Sequence, residues 1–142
     1  MYKHILVAVD LDEKAPLLIA KAQQLAALGG AKVTVLNVIE ILANLYVGDD
    51  WLGGGVNVAE LQADLLTQRE KQLQELLETL PGVFGLQRQG SPATVIRECA
   101  TEIDASVIVV GTHGRHGLEL LLGSISNGVL HGTPCDVLAV KI

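Results

Sequence analysis

The sequence predicts an α/β fold built on a single doubly wound, parallel five-stranded sheet with four helices. Three observations carry the prediction: five short runs rich in β-branched and apolar residues, four helix-period segments alternating with them, and glycine or proline signals at the junctions. Parallel strands joined through helices need right-handed crossovers, which cover both faces of the sheet and account for strands that are apolar on both sides.

The first run, His4-Ile5-Leu6-Val7-Ala8-Val9, is apolar almost without interruption, as a central strand requires, and Asp10 ends it. Pro16 suits a first helical turn; Leu18, Ala22, Leu25 and Ala26 follow at helical spacing until Gly29-Gly30 stops the helix. Residues 31–38 supply a second strand and complete a βαβ unit. Residues 39–57 are the least regular, with Tyr46, Asp49, Asp50, Trp51 and the triple glycine Gly53-Gly54-Gly55. A loop of that length in a compact domain is either a functional lid or a mobile segment, and the residues leave both open.

From Val58 to Leu80, leucines 61, 65, 73, 76, 77 and 80 share one side of a long amphipathic helix that stops at Pro81-Gly82. Packing onto the chain's own sheet explains this stripe better than a dimer seam, because it covers little more than three heptads. Residues 83–88, more polar and holding Gly85, suit an edge strand. Ser91-Pro92 pairs an N-cap hydroxyl with proline at N1, and Val95, Ile96, Cys99, Ala100 and Ile103 lie on one face of the third helix. Residues 106–110 form the fourth strand, 118–130 the fourth helix and 136–141 the fifth strand.

Composition narrows the function. A chain of 142 residues is expected to be one domain over residues 1–142. The net charge of −6, from 10 Lys plus Arg against 16 Asp plus Glu, argues against non-specific binding to nucleic acid or to anionic membrane. No apolar run approaches the roughly 18 residues of a membrane span, and the N-terminus opens on a strand pattern rather than a secretory leader, so a soluble, cytoplasmic protein is expected. Cys99 and Cys135 show no metal-ligand or redox spacing and are expected as buried, reduced thiols.

The chemistry concentrates after the fourth strand, in Val110-Gly111-Thr112-His113-Gly114-Arg115-His116-Gly117 and the later pair Gly123-Ser124. Glycines at the end of a buried strand let backbone approach a ligand, and the N–H groups of the following helix suit an anion, so a phosphate needs no basic cluster. No Walker lysine, nucleophile elbow or Ser-His-Asp order occurs, and no catalytic residue or metal-ligand set is assigned. A receiver domain is excluded because the third strand ends without a phosphorylatable Asp. A flavodoxin is excluded because the first loop, Asp10-Leu11-Asp12-Glu13, would repel phosphate.

This glycine segment resembles the nucleotide-binding signature of the universal stress protein family. The resemblance extends to Tyr2-Lys3-His4-Ile5-Leu6-Val7-Ala8-Val9-Asp10, to Gly90-Ser91-Pro92-Ala93 and to Thr133-Pro134-Cys135-Asp136-Val137-Leu138-Ala139-Val140, nearly the whole chain. The family spacing is Gly, two residues, Gly, nine residues, Gly, then Ser or Thr; here eight residues separate Gly114 from Gly123. Absorbed in the loop, the missing residue is harmless. Inside the helix it would rotate Ser124 by about 100° away from the phosphate.

The resemblance implies strand order 3-2-1-4-5, a Rossmann-like sheet of the adenine nucleotide α-hydrolase type. It also implies a crevice at the carboxyl ends of strands one and four. It places ATP, ADP or AMP there, with Mg²⁺ arriving on the nucleotide. The contacting positions are Val9 and Asp10 after strand one, Val38 at strand two, Val110, Gly111 and Gly114 in the loop, and Gly123 and Ser124 beyond it. Arg115 can add charge to a phosphate or stay solvated, and Asp10 can contact the ligand or cap the turn into helix one. The function implied is an ATP-binding regulatory module of the stress response, read by a protein partner and hydrolysing ATP slowly at most. A nucleotide-free dimer acting through protein contacts is the alternative. The resemblance also implies a homodimer through the last strand, residues 137–142, and Val140→Pro is expected to shift it toward monomer.

Overall fold

A computed structural model describes residues 1–45, 57–112 and 123–142. They form strands β1 (His4–Ala8), β2 (Lys32–Ile39), β3 (Val83–Gln89), β4 (Val107–Gly111) and β5 (Asp136–Val140). All neighbours pair in parallel, in the order β3-β2-β1-β4-β5. The helices are α1 (Ala15–Ala27), α2 (Leu42–Leu45), α3 (Val58–Glu78), α4 (Pro92–Glu102) and α5 (Gly123–Leu130). Helix α2 is a single turn within the stretch read as irregular. The rest of the lid-or-loop question, and the first residues of the fourth predicted helix, lie outside the described residues.

Strand periodicity sorts the core into two layers. Side chains alternate across a strand, so Ile5, Val7 and Val9 pack with Val35, Val107 and Val109 against α1 and Leu73 of α3. Leu6 packs with Leu36, Ile108 and Val110 against Ile96 and Cys99 of α4 and Val129 of α5. Each fully buried Val, Leu or Ile contributes about 1.5–3 kcal/mol, so the three inner strands dominate stability.

Close approaches fix the helices. Leu77 of α3 occupies the space a Cβ on Gly85 would need. On the other layer, a Cβ on Gly128 would lie 2.6 Å from that of Ala93, so α5 can seat closely on α4. Arg97 donates to the carbonyl of Gly128 across that contact.

Helix α3 corrects the picture of a uniform leucine stripe. Leu73, Leu76, Leu77 and Leu80 pack on the sheet, whereas Leu61 is 45% exposed. The reason is length: helices run antiparallel to the strands, and the first turns of α3 pass the strands' carboxyl ends. There Gln62 receives Leu42 N–H at 2.8 Å and donates to Glu40 O and Gln89 Oε1, both at 3.3 Å. The caps differ too. Asn57 accepts from Glu60 N–H at 3.1 Å and starts α3, while the Ser91 hydroxyl makes no capping bond. Pro92 fixes the first helical φ and has no N–H to satisfy, so α4 begins without it.

The amino end of the sheet is pinned by side chains. Ser106 Oγ accepts from Lys3 N–H at 2.9 Å and His4 N–H at 3.1 Å, and donates to His4 O at 3.0 Å. The His4 ring joins Ile103 O at 3.0 Å and Thr34 Oγ1 at 2.8 Å. Because a carbonyl only accepts, Nδ1 carries the proton facing Ile103.

Candidate functional site

The strand order makes β1 and β4 neighbours whose following helices pack on opposite faces, α1 on one and α5 on the other. Their carboxyl ends therefore diverge, which is where open α/β sheets bind ligands. A chain of polar contacts carries the backbone past the end of β1. Val9 N–H donates to Leu36 O at 2.9 Å, the Asn37 amide donates to Val9 O at 3.1 Å, and Gln87 donates to Asn37 Oδ1 at 3.1 Å. Asn37 is 3% exposed, so these bonds satisfy a buried amide while they set where Asp10 emerges. In the turn that follows, Asp12 Oδ1 accepts from Lys14 N–H at 2.9 Å.

Beside this turn lies a cleft of about 200 Å³, lined by Asp10, Leu11 and Asp12 after β1, by Asn37 to Ile39 of β2, and by Leu65 and Arg69 of α3. Leu65 and Arg69 are four residues apart and share a helix face. Arg69 is half-buried, and its Nη1 donates to Gln72 Oε1 at 2.8 Å. The ion pair among the described residues is Arg88 with Glu102, at 3.2 Å, so Arg69 has no carboxylate partner among them. The lining thus combines apolar residues with two aspartates and an arginine.

The residues expected from sequence divide into four groups. Asp10 and Val38 meet in the cleft. Val9 and Val110 are 6% and 3% exposed and belong to opposite core layers, so their side chains are structural and only their backbone can face a ligand. Gly111 stands across β1 from the cleft, in register with Val140. Gly123 and Ser124 open α5, so Ser124 lies in a first helical turn. Gly114, Arg115 and the residues over which the spacing is one short lie outside the described residues.

Sequence reasoning missed four positions. Asn37 had a signal, as the one amide in an apolar strand. Leu65 and Arg69 had none, because α3 reaches the cleft only through its packing. Thr112 donates its N–H to Val140 O at 2.9 Å, and its hydroxyl oxygen is buried with no partner among the described residues, at the point where the glycine segment begins. An orphaned buried hydroxyl beside a crevice is suited to meet a ligand acceptor or donor.

The thiols stand apart from this site. Cys99 is buried and Cys135 only half-buried, less than the sequence suggested, because it precedes an edge strand. Burial pushes both thiols up from their ordinary range, which disfavours the reactive thiolate. Among the described residues no group of three His, Cys, Asp or Glu is arranged to hold a metal, and no helix is long and apolar enough to cross a membrane.

Comparison with known proteins agrees with this architecture. The model of the universal stress protein family matches residues 1–141. Universal stress protein A homolog 1 of Coxiella burnetii is 38% identical over 143 residues, covering 98% of this chain and 96% of the relative. The universal stress protein A homolog of Haemophilus influenzae is 31% identical over 144 residues, covering 100% and 98%. Among solved structures, the universal stress protein UspA from Lactobacillus plantarum has a TM-score of 0.73 at 25% identity, over 98% of this chain and 97% of that one. A universal stress protein in complex with cAMP has a TM-score of 0.61 at 21% identity, over 98% and 96%, a likeness of fold.

Proposed function

Because the chain belongs to the universal stress protein family, we propose that it is an adenine-nucleotide-binding regulatory protein of the stress response. The observation that carries this reading is the cleft at the carboxyl ends of β1 and β2, where Asp10 faces an apolar wall of Val38, Ile39 and Leu65. It is an open cleft of about 200 Å³, and in this reading the base enters it while the rest of the nucleotide extends along the carboxyl ends of the strands. The base lies against the apolar wall, Asp10 accepts from the ribose hydroxyls, and the phosphates run across β1 toward Gly111, Gly114, Gly123 and Ser124. Arg115 adds charge to them, and Mg²⁺ comes with the nucleotide. That a protein of this fold has been solved with cAMP is consistent with a ligand here and supports no more, given 21% identity.

In this reading the whole chain is one domain, it works in the cytoplasm, and a protein partner reads its occupancy. Hydrolysis is slow at most, because the sequence has no Walker lysine to stabilise a leaving phosphate. The test is to extract the purified protein under denaturing conditions and identify co-purifying nucleotide by chromatography and mass spectrometry, beside a Gly114→Asp variant. ATP, ADP or AMP near one per subunit, absent from the variant, is the expected result. No nucleotide, and no heat on calorimetric titration with ATP and Mg²⁺, would overturn it.

A second reading, a homodimer acting through its surface with no nucleotide, is favoured by β5. This strand is a sheet edge, and its Leu138 is 41% exposed. The register corrects the substitution suggested by sequence. Val140 O accepts from Thr112 N–H, and a strand residue's N–H and C=O project to the same side, so both polar groups of Val140 face β4. The outward N–H groups belong to Val137, Ala139 and Lys141. Ala139→Pro is therefore the variant that blocks edge pairing without cutting the sheet, and it is expected to shift a dimer toward monomer in analytical ultracentrifugation. A dimer unchanged by Ala139→Pro would place the interface elsewhere.

A further inference from the structure

We infer that Gln62 is a positioning residue for the proposed base site: its amide sets the separation between two walls of the cleft. The inference rests on the nucleotide-binding reading and adds to it the residue that fixes the width of the base subsite. The walls come from different elements, Val38 and Ile39 from β2 and Leu65 and Arg69 from α3. Positions 62, 65 and 69 recur at helical spacing, so the face of α3 that lines the cleft also carries Gln62.

That half of α3 has little apolar anchorage. Leu61 is exposed and Leu65 half-buried, whereas Leu73, the buried residue of the helix, lies more than two turns farther on. Gln62 supplies a polar anchor instead. Its Oε1 accepts from Leu42 N–H at 2.8 Å, and its Nε2 donates to Glu40 O and to Gln89 Oε1, both at 3.3 Å. A backbone N–H only donates and a carbonyl only accepts, so the amide has one orientation and both of its hydrogens are used. Glu40 directly follows the wall residue Ile39, and Gln89 is the register partner of Ile39 on β3. The N–H of Gly90 holds the Ile39 carbonyl at 3.0 Å. Gln62 therefore grips the ends of β2 and β3 beside the wall. Through Leu42 it also caps α2, taking one of the N–H groups that a helix start leaves without an intrahelical partner.

A ring bound between two walls is held best when both are in place before it arrives, with geometry kept to within roughly 0.5 Å. Three bonds between α3 and the segment at the strand ends fix that spacing in the ligand-free protein. Without them the α3 wall must be ordered when the base enters, and the cost is read as lost affinity.

The experiment is calorimetric titration of the full chain with ATP, beside thermal melting, in the wild type, Gln62→Met, Gln62→Glu and Leu76→Ala. Gln62→Met keeps the length of the side chain and removes all three bonds; it is expected to weaken ATP by about tenfold, the effect of a wall that is no longer preorganised. Gln62→Glu keeps the acceptor for Leu42 N–H and loses both donors, so it is expected to weaken ATP as well. Leu76→Ala loosens the packing of the far half of α3 on the sheet. It should lower the melting temperature more than Gln62→Met does, yet leave ATP affinity within about threefold of wild type, a separation of affinity from stability that a merely structural role would not produce. If Gln62→Met or Gln62→Glu binds ATP as tightly as the wild type, or if Leu76→Ala weakens ATP as much as Gln62→Met, the inference is overturned and the nucleotide reading stands. If the wild type binds no ATP, the nucleotide reading falls and takes the inference with it.

Discussion

The two ends of the sheet differ in how completely their polar groups are paired. At the amino end, Ser106 closes three bonds onto Lys3 and His4, the His4 ring is held between Ile103 and Thr34, and the Tyr2 phenol donates to Asp136 at 2.9 Å. At the carboxyl end, among the described residues, Arg69 bonds to Gln72 and the buried Thr112 hydroxyl has no partner. Bonds completed within the chain stabilise it and leave nothing for a ligand. Groups that keep bonding capacity in a crevice cost stability and are suited to recognition. The difference teaches where to look: one end of the same β-strands holds the fold, and the other is available for function.

The largest effect expected is on the carboxyl end. Asp10→Ala removes a charged acceptor from the proposed ribose contact, and nucleotide affinity should fall about 10- to 100-fold, the equivalent of about 1.5–3 kcal/mol. Isothermal titration measures it, and an affinity within threefold of wild type would remove Asp10 from the site. Ser106→Ala is the matching change at the amino end. It leaves two backbone N–H groups without their acceptor and should cost about 1–3 kcal/mol in denaturant unfolding, with nucleotide affinity unchanged. If affinity fell together with stability, the two ends would not be independent.

Thr112→Val sharpens the contrast with a smaller effect. Replacing an unpartnered buried hydroxyl by a methyl of similar shape is expected to leave the ligand-free protein as stable as before, or up to about 1 kcal/mol more stable. The rise in melting temperature on adding nucleotide should shrink in the variant, because ligand stabilisation follows affinity. A variant that melts lower without ligand would show that the hydroxyl is already satisfied.

How far the sequence foretold this arrangement depends on whether a feature is local. The five strands were legible because runs such as Ile5 to Val9 and Val107 to Val110 are buried on both faces and read as unbroken apolar segments. Asp10 and Val38 were legible through family likeness, since both sit at strand ends that the motif marks. Arg69 was not: it occupies an ordinary polar position in an amphipathic helix, and only the overhang of α3 past β2 brings it to the cleft. The outward-facing groups of β5 were equally hidden, because the pairing register, not composition, decides whether Val140 or Ala139 faces the edge. Local patterns announce elements, while sites assembled across elements need the packing.

The smallest effect tests the closed end by pH. The Tyr2 phenol ionises above its ordinary 10.0, chiefly because its hydrogen is donated to the Asp136 carboxylate, with desolvation and the charge of that carboxylate adding to the shift. A group whose folded pKa is raised contributes stability that is intact below its unfolded pKa and disappears as pH climbs through the folded one, so this contact matters up to about pH 10 and fades above it. The pair is exposed, and solvent screening keeps its contribution small. The sequence has two tyrosines, Tyr2 and Tyr46, so ultraviolet titration of the wild type against Tyr2→Phe isolates the Tyr2 transition. In Asp136→Asn that transition should move back down toward the ordinary value, while nucleotide affinity stays unchanged because the contact lies at the amino end. A Tyr2 transition that does not move in Asp136→Asn would mean that the bond tying the N-terminus to β5 is not formed in solution, and that the amino end is less closed than the comparison requires.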